Sequence, residues 1–189
     1  MADIRCFIAI ELPDGIKQEL VSLIRQLCGA APDARWVRRE GMHLTLKFLG
    51  SVSEERIGEI EAALVEAVSG FGCIEARVES AGAFPHDDAA RVLWAGVSDE
   101  AGRIRELASR IESAMAGLGF ERETRPFKPH ITVGRIKKPK RNRRLKAALA
   151  SLKDREFGSL VAREVVLFKS QLHPDGAIYT PLARIPLER

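Results

Sequence analysis

The sequence predicts an α+β fold: two pseudo-symmetric lobes of antiparallel sheet with outer helices around a central cleft. Three observations carry this. Short runs of β formers are mixed with amphipathic helical stretches, the pattern of antiparallel sheets covered by helices. No low-complexity linker divides the 189 residues, so positions 1–189 read as one domain of two intertwined lobes. One short pattern, His-apolar-Thr-apolar, occurs once in each half, as His43-Leu44-Thr45-Leu46 and His130-Ile131-Thr132-Val133. A chain of this length buries roughly 70% of its unfolded surface and needs no metal or disulfide to hold a core.

The elements follow in order. Residues 4–10 are a short apolar run rich in β formers, an opening strand. Pro13 and Asp14 start a helix whose apolar set Ile16, Leu20, Leu23, Ile24 and Leu27 recurs at three and four residues, and Gly29 and Pro32 end it. A brief strand at 35–37 precedes a longer one at 43–49, which Gly50 closes. Ser51 or Ser53 caps a helix with Ile57, Ile60, Ala63, Leu64 and Val68 on its apolar face. Strands at 73–78 and 92–97 are joined by a loop over 82–90. A long amphipathic helix over 99–118 stops at Gly119. The two prolines in 125–129 keep the chain extended into the strand that begins at His130. A short helix over 145–152 and a hairpin of 161–170 with 177–185, turning at Pro174-Asp175-Gly176, complete the chain.

Composition narrows the function classes. Hydrophobic residues make up 46% and charged residues 30%, which excludes a disordered, collagen-like or coiled-coil chain. No apolar run approaches the ~18–20 residues of a membrane span, and the first residues lack the apolar stretch and cleavage site of a secretory signal. Cys6, Cys28 and Cys73 form no C-x-x-C pair, so buried free thiols in a reducing cytoplasm are expected. The net charge of +4 conceals an asymmetry: residues 122–155 hold thirteen Lys or Arg against two acids, and the rest of the chain is net acidic. A segment of that kind suits a polyanionic partner, because neutralising phosphates releases counterions.

The repeated pattern points to chemistry. In a strand, residues two apart share a face, so each copy presents an imidazole and a hydroxyl on one side while the apolar residues pack on the other. With four His and four Thr in the chain, a given His has roughly a 2% chance of a Thr two residues on, so two copies argue for function. Histidine titrates near neutrality, which lets one imidazole act as a base while its partner acts as an acid. In-line displacement at phosphorus needs groups on opposite sides of the phosphoryl centre, with hydroxyls beside the oxygens that gather charge. Lys47 falls on the same polar face of the first strand by alternation. The symmetry of the two copies leaves open which His is acid and which is base.

The motifs H-L-T-L and H-I-T-V resemble those of the two-histidine (2H) phosphoesterase superfamily. The flanking stretches RCFIAIELP, RWVRREGMHLTLKFLG, ARVLWAGV, RPFKPHITVGR and SQLHPDGAIYTPLARIPL are similar to its RNA 2′,3′-cyclic phosphodiesterase branch, historically called 2′-5′ RNA ligase. The resemblance runs from residue 5 to 187 and implies a bilobal fold around a basic cleft. It implies an enzyme, a metal-independent phosphoric diester hydrolase with no cofactor, that opens a 2′,3′-cyclic phosphate at an RNA 3′ end to a 2′-phosphomonoester. The resemblance also implies that the same active site can run as a 2′-5′ RNA ligase. It makes His43 the proton donor and His130 the proton acceptor, with Thr45, Thr132 and Arg135 binding the phosphate. Arg135 lies an odd number of residues from His130, and a bulge at Gly134 would turn it to the same face. The implied partner is a tRNA-like or single-stranded RNA 3′ end, with no membrane and no obligate protein partner.

Alternatives within reach of the sequence are a 2H phosphodiesterase acting on a small cyclic nucleotide or an ADP-ribose cyclic phosphate, and a non-catalytic RNA-binding module. A metal site at His86, Asp87 and Asp88 has no second ligand cluster at suitable spacing. Trp36, Phe84 and Phe127 flank the motif segments and are candidates to stack a base. The run from Lys137 to Arg144 is a candidate track for an RNA backbone.

Overall fold

A computed structural model describes residues 3–173 and 176–187. Its strands are β1 (Asp3–Glu11), β2 (Ala34–Trp36), β3 (His43–Ser53), β4 (Ile74–Phe84), β5 (Val92–Ser98), β6 (His130–Ile136), β7 (Glu156–Ala162), β8 (Glu164–His173) and β9 (Gly176–Pro186). The helices are α1 (Asp14–Cys28), α2 (Ile57–Val68), α3 (Arg103–Gly117) and α4 (Arg143–Ala150). All strands join one antiparallel sheet in the order β7-β4-β5-β6-β3-β1-β8-β9, with β2 added beside β6.

The sheet divides where β3 meets β6. Those strands share a single backbone pair, Leu44 with Ile131, so the sheet parts there into a half of β7-β4-β5-β6 with β2 and a half of β3-β1-β8-β9. Helices α2 and α3 cover the β3-β1-β8-β9 half, and α1 and α4 cover the β6-β5-β4-β7 half. Helix α1 leaves β1 and crosses to the other half, where Ile16, Leu20, Leu23 and Leu27 are buried. Each such side chain contributes about 1.5–3 kcal/mol of burial free energy. Asn142 caps α4 by accepting from the Leu145 N–H at 2.9 Å, and its amide donates to the Ala30 carbonyl at 2.7 Å, which ties the start of α4 to the end of α1.

Two matching bulges shape the cleft face. Against β1, Thr45 pairs with Ala9 and Lys47 with Ile8, so Leu46 is the extra residue. Against β5, Thr132 pairs with Trp94 and Gly134 with Leu93, so Val133 is the extra residue. Each bulge lies three residues after its His and reverses the alternation beyond it. Lys47 and Gly134 therefore turn to the helix-covered face, and Phe48 and Arg135 turn to the cleft. Gly134 is required there: a Cβ would lie 2.7 Å from the Trp36 ring.

Several sequence expectations are corrected. Lys47 is not on the polar face but buried at 6% exposure, its ammonium donating to both Glu112 carboxylate oxygens at 2.8 and 2.9 Å and to the Glu121 carbonyl at 2.9 Å. Gly50 does not end its strand, because its positive φ of 73° sits at a second bulge against Cys6 and Phe7, and β3 continues to Ser53. Strand β4 likewise runs through an irregularity at Ser80 to Phe84, leaving a shorter loop than 82–90. Ser51 caps nothing and donates to Asp3 at 3.2 Å. Helix α3 begins at Arg103, with the Asp99 carboxylate accepting from the Arg103 and Ile104 N–H groups as its cap. Val161 belongs to β7, a separate strand beside β4 and not part of the final hairpin of β8 and β9. Cys6 is buried, its thiol pushed up to about 11 by burial, but Cys28 and Cys73 are exposed. The turn at Pro174 and Asp175 lies outside the described residues.

The Lys47–Glu112 pair carries a stability prediction. Removing one partner of a buried pair leaves the other charge uncompensated, and Glu112 keeps 22% side-chain exposure. Lys47→Met is therefore expected at the low end of the usual loss, about 3 kcal/mol. In a chain of this size that lowers the melting temperature by about 6–12 °C. Adding Glu112→Leu should recover most of it. A drop of under ~1 kcal/mol in the single variant contradicts a structural role for the pair.

Candidate active site

The register brings the two motifs face to face. With Leu44 opposite Ile131 on antiparallel strands, His43 stands across from Thr132 and Thr45 across from His130. The four side chains form a diagonal set on the cleft face, and the apolar residues between them, Leu44 and Ile131, are fully buried beneath. Each imidazole is anchored in the same way. Nδ1 of His130 lies 2.7 Å from the Lys128 carbonyl, and the His43 ring bonds to the Gly41 carbonyl, in both cases two residues upstream. A carbonyl only accepts, so the bonded ring nitrogen carries hydrogen and the other is left to exchange protons.

The surroundings of the two rings differ. His43 is stacked on Phe7 at 4.6 Å and 28°, with Tyr179 edge-on at 5.1 Å. Behind Phe7 stands Phe168, in a small buried cluster with Ala9 and Val166. Burial pushes the His43 pKa down to about 4, with Lys17 and Arg135 acting the same way against the Gly41 hydrogen bond. His130 has only Phe84 edge-on at 5.0 Å. Its pKa is also lowered, first by burial and then by Arg135, against the bond to Lys128. Both imidazoles are thus neutral at pH 7 in the free protein.

The cleft has a volume of about 360 Å³ and is bounded by His43, Thr45, Thr132, Arg135, Phe48 and Tyr179 among others. Arg135 lines the cleft and bears electrostatically on His43, His130 and Tyr179 alike, so one guanidinium charge acts on all three. The bulge after Thr132 brings it there.

Phe48 and Tyr179 are the cleft residues that sequence reasoning missed. Phe48 is 64% exposed on the cleft face; it is the counterpart of Arg135 in the other half, five residues after its His. That repeated interval was the available signal. Tyr179 comes from β9, far from either motif in sequence, and burial raises its phenol pKa. Trp36 and Phe127 pack against the hydrophobic core, while Phe84 stands beside His130. His86, Asp87 and Asp88 border a separate open concavity with Lys146. Asp87 there accepts from the Ala83 N–H at 2.9 Å and Asp88 faces Arg141. Among the described residues no three His, Cys, Asp or Glu side chains are grouped to hold a metal. No helix among them is long and apolar enough to cross a membrane.

Comparison with known proteins agrees with this fold. Residues 12–173 match the 2′-5′ RNA ligase superfamily. The chain is 34% identical over 178 residues to an RNA 2′,3′-cyclic phosphodiesterase of Archaeoglobus fulgidus, covering 94% of this chain and 97% of that protein. It is 32% identical over 179 residues to one of Methanothermobacter thermautotrophicus, covering 95% and 96%. Among solved structures, a Thermus thermophilus protein superposes with a TM-score of 0.81 at 27% identity over 97% of both chains. E. coli LigT complexed with 3′-AMP superposes at 0.80 and 25% identity over 99% of both. By sequence, by fold and by the paired motifs, the chain belongs to the RNA 2′,3′-cyclic phosphodiesterase (2′-5′ RNA ligase) family of the 2H phosphoesterases.

Proposed function

We propose that the protein hydrolyses the 2′,3′-cyclic phosphate at an RNA 3′ end to a 2′-phosphomonoester, by acid–base catalysis between its two histidines and without a metal. The observation that carries this is the diagonal set of the two motifs across the Leu44–Ile131 pair, with His43, Thr45, Thr132 and Arg135 lining one cleft and His130 across from Thr45 beside it. The unprotonated nitrogen of His130 takes a proton from water as the oxygen attacks phosphorus. The bond from phosphorus to the 3′ oxygen breaks, and protonated His43 gives its proton to that oxygen, leaving a free 3′-hydroxyl and a 2′-phosphate. Thr45 and Thr132 donate to the non-bridging oxygens, and Arg135 offsets the charge that accumulates on them. Because the His43 pKa is about 4 in the free protein, His43 takes up the proton it donates from solvent as the substrate binds: the phosphate anion beside it favours the imidazolium. With an RNA 5′-hydroxyl in place of the attacking water, the same groups join two RNA ends in a 2′-5′ linkage and free the 3′-hydroxyl.

The cleft's volume suits one nucleotide, and the E. coli relative crystallised with 3′-AMP supports that size. Phe48 gives the terminal base an exposed ring to stack on, a contact generally worth about 1–3 kcal/mol. The test is product analysis on a short RNA ending in a 2′,3′-cyclic phosphate, in excess EDTA. The expected product is the 2′-phosphate at undiminished rate. A 3′-phosphate product, or activity restored only by a divalent ion, rejects the mechanism.

A further inference from the structure

The chemistry above uses Arg135 but not Arg35. Strand β2 pairs only with β6, with Trp36 opposite Gly134 and Arg35 opposite Arg135. Trp36 lies over Gly134 against the core, so alternation puts Arg35 on the cleft face, as it does Val37, which lines the cleft. Two exposed arginines thus stand directly opposite one another on neighbouring strands. Cross-strand neighbours have Cβ atoms about 4.5–5.5 Å apart, where like charges destabilise a sheet. No carboxylate relieves them: among the described residues neither Arg35 nor Arg135 has an ion pair, whereas Arg39 is paired with Asp14 at 3.1 Å and Lys169 with Glu54 at 3.6 Å.

We propose that Arg35 is a subsite for the phosphodiester on the 5′ side of the reacting nucleotide, so that Arg135 and Arg35 hold adjacent phosphates of an oligonucleotide end. This rests on the reading of the cleft as an RNA cyclic phosphodiesterase. A cleft of about 360 Å³ accommodates the terminal nucleotide alone, so the chain behind it leaves over a rim. One side sets the exposed apolar side chains of Phe48 at 64% and Leu172 at 79% exposure beside a single cation, Arg5, on the strand between theirs. The other carries the unrelieved arginine pair, and beyond Arg135 the exposed Lys137 and Lys138 open the basic run to Arg144. An anion between the arginines removes their repulsion, and the counterions released add to the binding.

The test compares wild type, Arg35→Gln, Arg35→Lys and Arg5→Gln; Arg5 is, besides Arg135, the cation that lines the cleft without an ion pair among the described residues. For each, kcat/KM is measured on a 2′,3′-cyclic mononucleotide and on a trinucleotide with the same 3′ end. Arg35→Gln is expected to lower the trinucleotide-to-mononucleotide ratio about tenfold, within the range of a lost charge-assisted contact, and Arg35→Lys to keep most of it. In parallel, the anisotropy of a labelled trinucleotide ending in a 2′-phosphate is followed against salt. Loss of one phosphate contact flattens the slope of log affinity on log salt by about 0.7. An unchanged ratio in Arg35→Gln, or one that falls in Arg5→Gln instead, overturns the assignment. If wild type hydrolyses neither substrate, the proposed function fails and the salt slope decides the subsite: a flattened slope in Arg35→Gln supports it and an unchanged slope overturns it.

Discussion

Alanine at either His43 or His130 is expected to lower kcat/KM on cyclic-phosphate-ended RNA by about 10²–10⁴-fold, the usual share of one positioned acid or base. The two losses should not add, because the proposed mechanism has both groups act in one transition state: the double variant is expected within about tenfold of the worse single. His43 supports Phe7 and Tyr179 by ring contact, so His43→Gln accompanies His43→Ala to separate packing from proton transfer. The near-symmetry of the motifs makes the division of roles the sharper question, and the leaving group answers it. A nitrophenyl phosphodiester departs without needing a proton. On that substrate the donor variant, His43→Ala, should lose far less activity than on RNA, whereas His130→Ala should lose the same on both. The opposite pattern exchanges the roles, and full activity in either variant on RNA ends the two-histidine mechanism.

The second large effect is on pH dependence. Burial lowers both imidazole pKa values, His43 to about 4. In the proposed mechanism the productive free enzyme has one imidazole protonated and the other neutral. For a base with a lowered pKa, the protonated fraction is full below that pKa and is lost as pH rises above it. The profile of kcat/KM, which reports the free enzyme, should therefore peak below about pH 6.5, the ordinary histidine value, and fall about tenfold per pH unit on its alkaline side. In the substrate complex the phosphate anion raises the donor's pKa, so the alkaline limb of kcat should lie at higher pH than that of kcat/KM. Arg135→Gln removes the lesser cause of the depression and should move the kcat/KM limb upward only in part, while lowering the maximum by about 10²–10³-fold through lost charge stabilisation. A kcat/KM that is flat or rising from about pH 6 to 8 shows that neither His needs to be protonated in the free enzyme.

Both expectations depend on features that differ in how far they could be read in advance. The facing of His43 with Thr45, and of His130 with Thr132, follows from alternation along one strand. So does the burial of Leu44, Leu46, Ile131 and Val133, none more than 6% exposed. Helix α1 is legible for a similar reason, since its apolar period and the Pro13 and Gly29 that bound it are local. Lys47 shows where that reasoning stops. Alternation assigns it to the cleft, and the bulge at Leu46 turns it into the core, where Glu112 of α3 receives it. The same device in the other half works in favour of Arg135, whose odd spacing from His130 requires a bulge near Gly134.

By itself, then, the sequence determined the α+β class, the paired motifs, the family resemblance over residues 5–187 and the basic character of 122–155. These rest on periods of two and of about 3.6 and on residue types, which belong to single segments of chain. Only the tertiary structure decided that the motifs meet across one backbone pair, that Phe48 and Arg135 turn to the cleft from opposite halves, that Tyr179 closes over His43, and that Arg35 stands opposite Arg135. A bulge and a register are relations between two strands, set by the packing of both faces of the sheet at once, so no segment read alone contains them.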